Sequence, residues 1–294
     1  MPYYGCHLSI SKGFEAMGKD ALFIGADTFA FFPRNPRGGQ MRPLDGLDIQ
    51  RLTGLLQDHE FGPLVAHAPY IYNMATGDPE ASAVVRQRMK EDLERLDHLP
   101  YVYYNIHPGA HVGQGQDQGA ANVAGVIQEV LSEGFRTPIL LETMAGKGTE
   151  LGGQFENLDA ILSKLGYHSQ VGVCLDTCHV SDAGYDVAQD LDGVLDQLDQ
   201  VVGLDRLWAV HVNDSKNPVG SHKDRHELLG DGTLGLDFFR SLVQNPRLQD
   251  LPMILETPNK KLEGYKREIA MLRAFEQGAT VQEAQARLED EPAQ

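Results

Sequence analysis

Eight short β-rich runs alternate with longer helix-like stretches along this chain, and that alternation constrains the fold more than any single residue does. The runs are YYGCHLS (3–9), TFAFF (28–32), LVAHA (64–68), YVYYNIH (101–107), PILLET (138–143), VGVCLDT (171–177), LWAVHVN (207–213) and MILETP (253–258). Helix-like segments follow near 13–25, 45–59, 81–98, 119–133, 157–165, 190–202, 236–244 and 264–276. A strand followed by a helix, repeated, signals βα units and a parallel sheet. Eight repeats favour a closed (β/α)8 TIM barrel over an open doubly wound sheet, and one such barrel takes about 250 residues. Residues 1–280 of the 294 are therefore expected to form a single barrel domain. The rest, VQEAQARLEDEPAQ (281–294), reads as an acidic C-terminal extension, a solvated helix that frays at Pro292. The stretch at 81–98 carries mixed charges at helical spacing and reads as a solvated outer helix.

Composition narrows the class. Hydrophobic residues make up 41% and charged residues 23%, the balance of a soluble globular protein with a sizeable core. No apolar run approaches the roughly 18 residues that span a bilayer, so a membrane protein is excluded. The opening MPYYGCHLSISKGF lacks a basic region followed by an apolar one, and three cysteines cannot build a disulfide framework. Both point to the cytoplasm, and no feature asks for more than a monomer. A net charge of −17 disfavours non-specific binding to a polyanion such as DNA. Binding depends on local potential, however, and carboxylates that hold metal count as negative until the metal is included.

Metal-competent side chains recur at or just past the ends of these strands: His7, His67, His107, Glu142, Asp176, His211 and Glu256. In a barrel those ends meet at one face, where the loops build the site. Core packing does not explain such a set, because unpaired buried imidazoles and carboxylates are costly. Converging carboxylates would repel one another unless cations neutralised them, so the pattern implies a metal site. Two loop motifs extend it: His179 follows Asp176 by three residues, and Asp224 and His226 are two apart in HKDRHELLGDG. Mixed imidazole and carboxylate sets suit zinc, with manganese or iron as competitors, and nine ligands suggest about three ions.

The segments GCHLS, VAHAPY, NIHPGAHVG, LLET, VCLDTCHVSDAGYD, HVNDSK, DRHELLGDG and ILETP resemble those of the endonuclease IV family of apurinic/apyrimidinic endonucleases. The similarity runs from about residue 4 to 275. It implies a barrel with a trinuclear zinc cluster that incises duplex DNA 5′ to an abasic site and leaves a 3′-hydroxyl. By motif, the first Zn²⁺ would take His67, His107 and Glu142; the second Glu142 as a bridge with Asp176, His211 and Glu256; the third His179, Asp224 and His226. Manganese would compete at one site. Glu142 would lie between the first two ions, and Glu256 would orient or deprotonate the attacking water. His7 and His111 would support the site without ligating. The loop FFPRNPRGGQ, offering Arg34, Asn35 and Arg37, would enter the DNA, with Arg37 near the lesion and Tyr70 and Ile71 as a wedge.

Beside those expectations, Lys216, Lys223 and Arg225 flank ligand positions and supply local positive potential for a phosphate backbone. The glycine-rich TMAGKGTELGG (143–153) could offer backbone amides to a phosphate. The alternative function is a metal-dependent sugar isomerase or epimerase on a related barrel. Such an enzyme needs fewer metals and would leave the loop ligands unused.

Overall fold

The structure, a computed structural model, describes residues 1–36, 41 and 43–290, with the backbone alone at 288–290; Arg37 lies outside the described residues. Strands β1 (Tyr3–Leu8), β2 (Ala30–Phe31), β3 (Leu64–His67), β4 (Val102–Ile106), β5 (Ile139–Glu142), β6 (Val171–Asp176) and β7 (Leu207–His211) lie side by side. A two-residue antiparallel ribbon, β8 (Asp214–Ser215) and β9 (His226–Glu227), follows β7. Then β10 (Pro252–Leu255) pairs with both β7 and β1, which closes an eight-stranded parallel barrel. Helices α1 (Phe14–Phe23), α2 (Gly46–Asp58), α3 (Pro79–Leu96), α4 (Gln116–Leu131), α5 (Phe155–Lys164), α6 (Thr177–Ala183), α7 (Leu191–Val201), α8 (Leu236–Gln244), α9 (Leu262–Glu276) and α10 (Val281–Asp290) complete the chain. The TIM-barrel expectation holds.

Period-two alternation explains both the core and the placement of the site. Inside the barrel, Ala30, Val65, Leu140, Cys174, Ala209 and Ile254 form a separate, fully buried cluster flanked by Tyr103 and Trp208. In five of these strands the residue two positions later is a metal-competent one: His67, Glu142, Asp176, His211 and Glu256. Successive side chains of a strand point to opposite faces, so plug and metal-competent residue share the inward face, one layer apart. On the outward face, Tyr4, Phe29, Phe31, Tyr104, Leu141 and Val173 pack against the helices.

Three local expectations differ from what is observed. The second strand shortens from 28–32 to Ala30–Phe31, beside a crowded contact with β1. A Cβ at Gly5 would collide with the Thr28 carbonyl oxygen, so only glycine fits there. Helix α3 is not simply a solvated outer helix. Its Asp92 is fully buried and accepts from Arg34 Nε at 2.6 Å, from Tyr104 Oη at 2.8 Å and from Tyr72 Oη at 3.2 Å. Charge spacing alone does not separate a carboxylate in water from one that meets a guanidinium reaching in from a neighbouring loop. The sixth unit also carries two helices, α6 and α7, where one was expected. Helix α10 packs through the buried Ala284 and the half-buried Val281. Among the described residues, no helix is long and apolar enough to cross a membrane.

Candidate metal centre

The site grows from Glu142, the last residue of β5, which is fully buried. Its Oε2 accepts from Asn105 Nδ2 at 2.5 Å and lies 3.1 Å from His67 Nε2 and 3.3 Å from His107 Nε2. Its Oε1 lies 3.2 Å from His211 Nδ1, which is 3.4 Å from Glu256 Oε2. One donor atom from each of His67, Glu142, His211 and Glu256 falls within 4.8 Å of all the others, enough for one ion to reach them together.

A second group of the same kind contains Asp176, His179 and His226. Asp176 ends β6 and caps α6, its Oδ1 accepting the His179 N–H at 2.8 Å. Its Oδ2 faces both groups, 3.8 Å from His211 Nδ1 and 3.7 Å from His226 Nε2. Asp224 Oδ1 lies 3.1 Å from His179 Nε2 and 3.7 Å from His226 Nε2. All nine expected ligand positions thus meet at one mouth. The grouping differs from the motif-based one: His67 joins Glu142, His211 and Glu256, Asp176 joins His179 and His226, and His107 and Asp224 stand beside the groups rather than in them.

Ring orientation is set from behind. His67 Nδ1 lies 2.6 Å from the Ala68 carbonyl and His179 Nδ1 2.8 Å from that of Thr143, which turns each Nε2 into the cluster. Such backing is the usual arrangement for imidazoles that ligate metal. His226 Nε2 is buried, has no hydrogen-bond partner and faces the Asp176 and Asp224 carboxylates. An unpartnered nitrogen between two carboxylates, in a mixed imidazole and carboxylate set, fits a divalent cation.

The electrostatics agree. Burial opposes charge on Glu142, but His211 and His107 outweigh it and hold its carboxyl well below the usual range. Burial likewise opposes charge on Glu256, which His211 and His67 bring down to about 2. Burial resists protonation of His179, yet Asp176 and Asp224 raise it well above its ordinary value. His211 is likewise raised well above its ordinary value against its burial, with Cys174, Glu256 and Glu142 as neighbours. His7 behaves oppositely: burial pushes it down to about 4. Its ring stacks obliquely 4.2 Å from Phe32, and its Nε2 has no partner.

A cavity of about 490 Å³ opens over the cluster, bounded by His67, His107, His179, Asp224, His226 and Glu256, with Phe32, Tyr70 and Lys147 at its edge. Tyr70 and Ile71 are each 54% exposed, and Tyr70 stands edge-on to Phe32. Asn35 is exposed and borders an adjoining cavity of about 580 Å³. Arg34 is turned inward to Asp92 and Glu91, away from the surface its loop was expected to present. Arg225 is exposed at the rim, its Nη1 donating to the Asp224 carbonyl at 2.8 Å. Lys216 Nζ lies 3.5 Å from Glu227. His111 serves its own loop, accepting the Gly115 N–H at 3.1 Å.

Several participants escaped the sequence reading. Asn105 and Asn213 brace the carboxylates, Asn213 donating to Asp176 Oδ2 and accepting the Glu256 N–H, both at 2.8 Å. Each sits two residues from a ligand histidine in a strand pattern, which was a usable signal. Lys147 Nζ donates to Asp224 Oδ2 at 2.6 Å, so the glycine-rich loop adds a cation beside a ligand.

Residues 19–275 match the model of the xylose isomerase-like TIM barrel family. A probable endonuclease 4 of Methanosphaera stadtmanae is 49% identical over 271 residues, covering 92% of this chain and 98% of that one. The crystal structure of endonuclease IV from Thermus thermophilus superposes with a TM-score of 0.84 at 34% identity, covering 95% of this chain and all of that one. A D-tagatose 3-epimerase-like protein shares the fold, with a TM-score of 0.69, but only 18% identity over 93% of this chain and 96% of its own. Common architecture explains the epimerase likeness, whereas near-full-length identity close to one half does not arise from architecture alone: this chain belongs to the endonuclease IV family of the xylose isomerase-like TIM barrels.

Proposed function

We propose that this protein is a DNA-repair phosphodiesterase that hydrolyses the bond 5′ to an abasic site in duplex DNA and leaves a 3′-hydroxyl. It would use about three Zn²⁺, with manganese competing at one position, since nine ligands supply about three per ion. The observation that carries this reading is the convergence of four carboxylates and five histidines at one mouth of the barrel, six of them bordering one cavity. Clustered divalent ions supply a water of lowered pKa and neutralise charge on a phosphate and its leaving oxygen.

The chain's own residues divide the remaining work. His67, His107 and Glu142 would form one ligand set, Glu142 with Asp176, His211 and Glu256 a second, and His179, Asp224 and His226 a third. Glu256 is the carboxylate of the strand ends that opens to the cavity, with its side chain 16% exposed against none for Glu142. That exposure suits Glu256 to orient the attacking water and take its proton. Lys147 and Arg225 at the rim would attract the phosphate backbone. Tyr70 and Ile71 would fill the gap left where the abasic deoxyribose leaves the stack. Asn35 and Lys216 would contact the strand further out, and His7 would support the site without ligating. We place the protein in the cytoplasm as a monomer, consistent with three free, buried cysteines.

The test is incision of a duplex carrying one abasic site, with end-group analysis, beside assays for ketose epimerisation. A single nick with a 3′-hydroxyl and no sugar turnover is expected. Sugar turnover without nicking would favour the isomerase alternative.

A further inference from the structure

Asp182, in α6, is fully buried and is not one of the nine ligand positions. Its Oδ1 accepts from Ser215 Oγ at 2.8 Å. Its Oδ2 accepts the backbone N–H groups of Lys223 at 3.1 Å and Asp224 at 2.6 Å. The Asp182 carbonyl also accepts the His222 N–H at 2.9 Å. One buried residue therefore grips three consecutive amides of the segment that carries Asp224. From the other side, His222 Nδ1 lies 2.8 Å from the Ala145 carbonyl.

That segment needs gripping. His222 and Asp224 both have left-handed backbone, with φ of 52° and 54°, a conformation non-glycine residues hold only when their surroundings impose it. Apart from the two-residue β9, nothing regular fixes residues 216–227. A ligand on a loose segment must be ordered when the ion binds, and that entropy is subtracted from its affinity. A carboxylate that accepts two N–H groups of the segment and is itself held by the Ser215 hydroxyl orders the segment beforehand.

We propose that Asp182 is a positioning residue for the loop-borne metal centre. By clamping the 222–224 backbone it presets Asp224 against His179 and so governs retention of the third ion. This rests on the trinuclear reading above. It gives a buried acid outside the reaction a role that neither strand geometry nor the ligand motifs supply.

The zinc-loaded parent, Asp182→Ala and Asp182→Asn are exposed to EDTA, and bound zinc is followed by elemental analysis alongside thermal midpoints. The parent is expected to start near three ions per chain. Asp182→Ala should lose one ion at least about tenfold faster while the other two leave at the parent rate, the low end for losing a group that orients a ligand. Asp182→Asn keeps one oxygen for both amides and can donate to Ser215, so its loss of that ion should fall between the two. Parent-like retention of all ions by Asp182→Ala overturns the inference, as does equal acceleration of all three. Should Asp182→Ala not fold, an Asp182→Asn rate equal to the parent's overturns it. A parent that binds one ion or fewer instead contradicts the trinuclear reading.

Discussion

The two halves of the candidate metal centre are built by different means. His67, Glu142 and His211 stand on strands, and their positions follow from the barrel itself, because each lies two residues beyond a side chain of the barrel plug. Their side chains are at most 3% exposed. Asp224 stands on a loop and His226 on the two-residue strand β9; they are 23% and 18% exposed and are placed by the ribbon and by contacts from Asp182, Lys147 and the Glu256 carbonyl. One half is fixed by geometry it shares with the core. The other depends on individual hydrogen bonds and a two-residue ribbon outside the barrel. Removing a strand-borne ligand should therefore disturb folding and metal together, whereas removing a loop-borne one should disturb metal alone.

The largest effect is expected at Glu256, where the strand half meets the cavity. Glu256→Gln keeps size but removes the charge that would take the proton of the water. Turnover on abasic duplex should fall by at least about 10², the low end for losing a positioned acid or base, with duplex binding retained. Near-parental turnover at full metal occupancy would show that the roles are misassigned.

A direct comparison of the halves comes next. In metal-free protein, His67→Ala removes a partner of buried Glu142 and should lower unfolding free energy by about 1–3 kcal/mol. His226→Ala, half-buried and already unpartnered at Nε2, should cost clearly less. Urea unfolding of both variants measures this, and equal losses would erase the distinction between geometric and dedicated placement.

Tyr70 lies outside both halves and serves as the control region. Tyr70→Ala should weaken abasic-duplex binding by roughly tenfold, within the range for losing one stacking aromatic. Metal content and the salt dependence of binding should not change, since a phenol ring releases no counterions. Titrations at several salt concentrations, with metal assayed on the same samples, decide it. Arg37→Ala should weaken binding too and flatten the salt dependence.

The smallest effect is a proton count. Without metal, carboxylates on both halves hold His179 and His211 protonated above their ordinary range. Zinc needs the neutral ring, so binding near pH 7 should release protons, and fewer as pH rises through the raised values. Calorimetry in buffers of different ionisation enthalpy would detect this. Buffer-independent heats at pH 7 would contradict the electrostatic picture.

The strand half was the more legible in sequence for the same physical reason that the barrel places it. Plug and ligand alternate within one strand, as in Leu140–Glu142 and Cys174–Asp176, so periodicity exposes both at once. The ligand types of the loop half were visible in HKDRHELLGDG, but its supports were not. Asp182 lies 40 to 42 positions before the amides it holds, and nothing local marks it as inward-facing. Arg34 shows a related limit: it belongs to a loop expected to enter the DNA, but Asp92, 58 residues on, turns it into the core. The α6–α7 break and the β8–β9 ribbon also escaped, because elements so short carry too little periodicity to read.

Chemistry should require both halves to be filled, and stepwise metal loading tests that most directly. Chelated protein is reloaded with Zn²⁺ in steps while incision of a duplex with one abasic site is followed. Cleavage should reach its full rate only as loading approaches about three ions per chain, with the last one entering the loop half. Full turnover at one equivalent or less would contradict it.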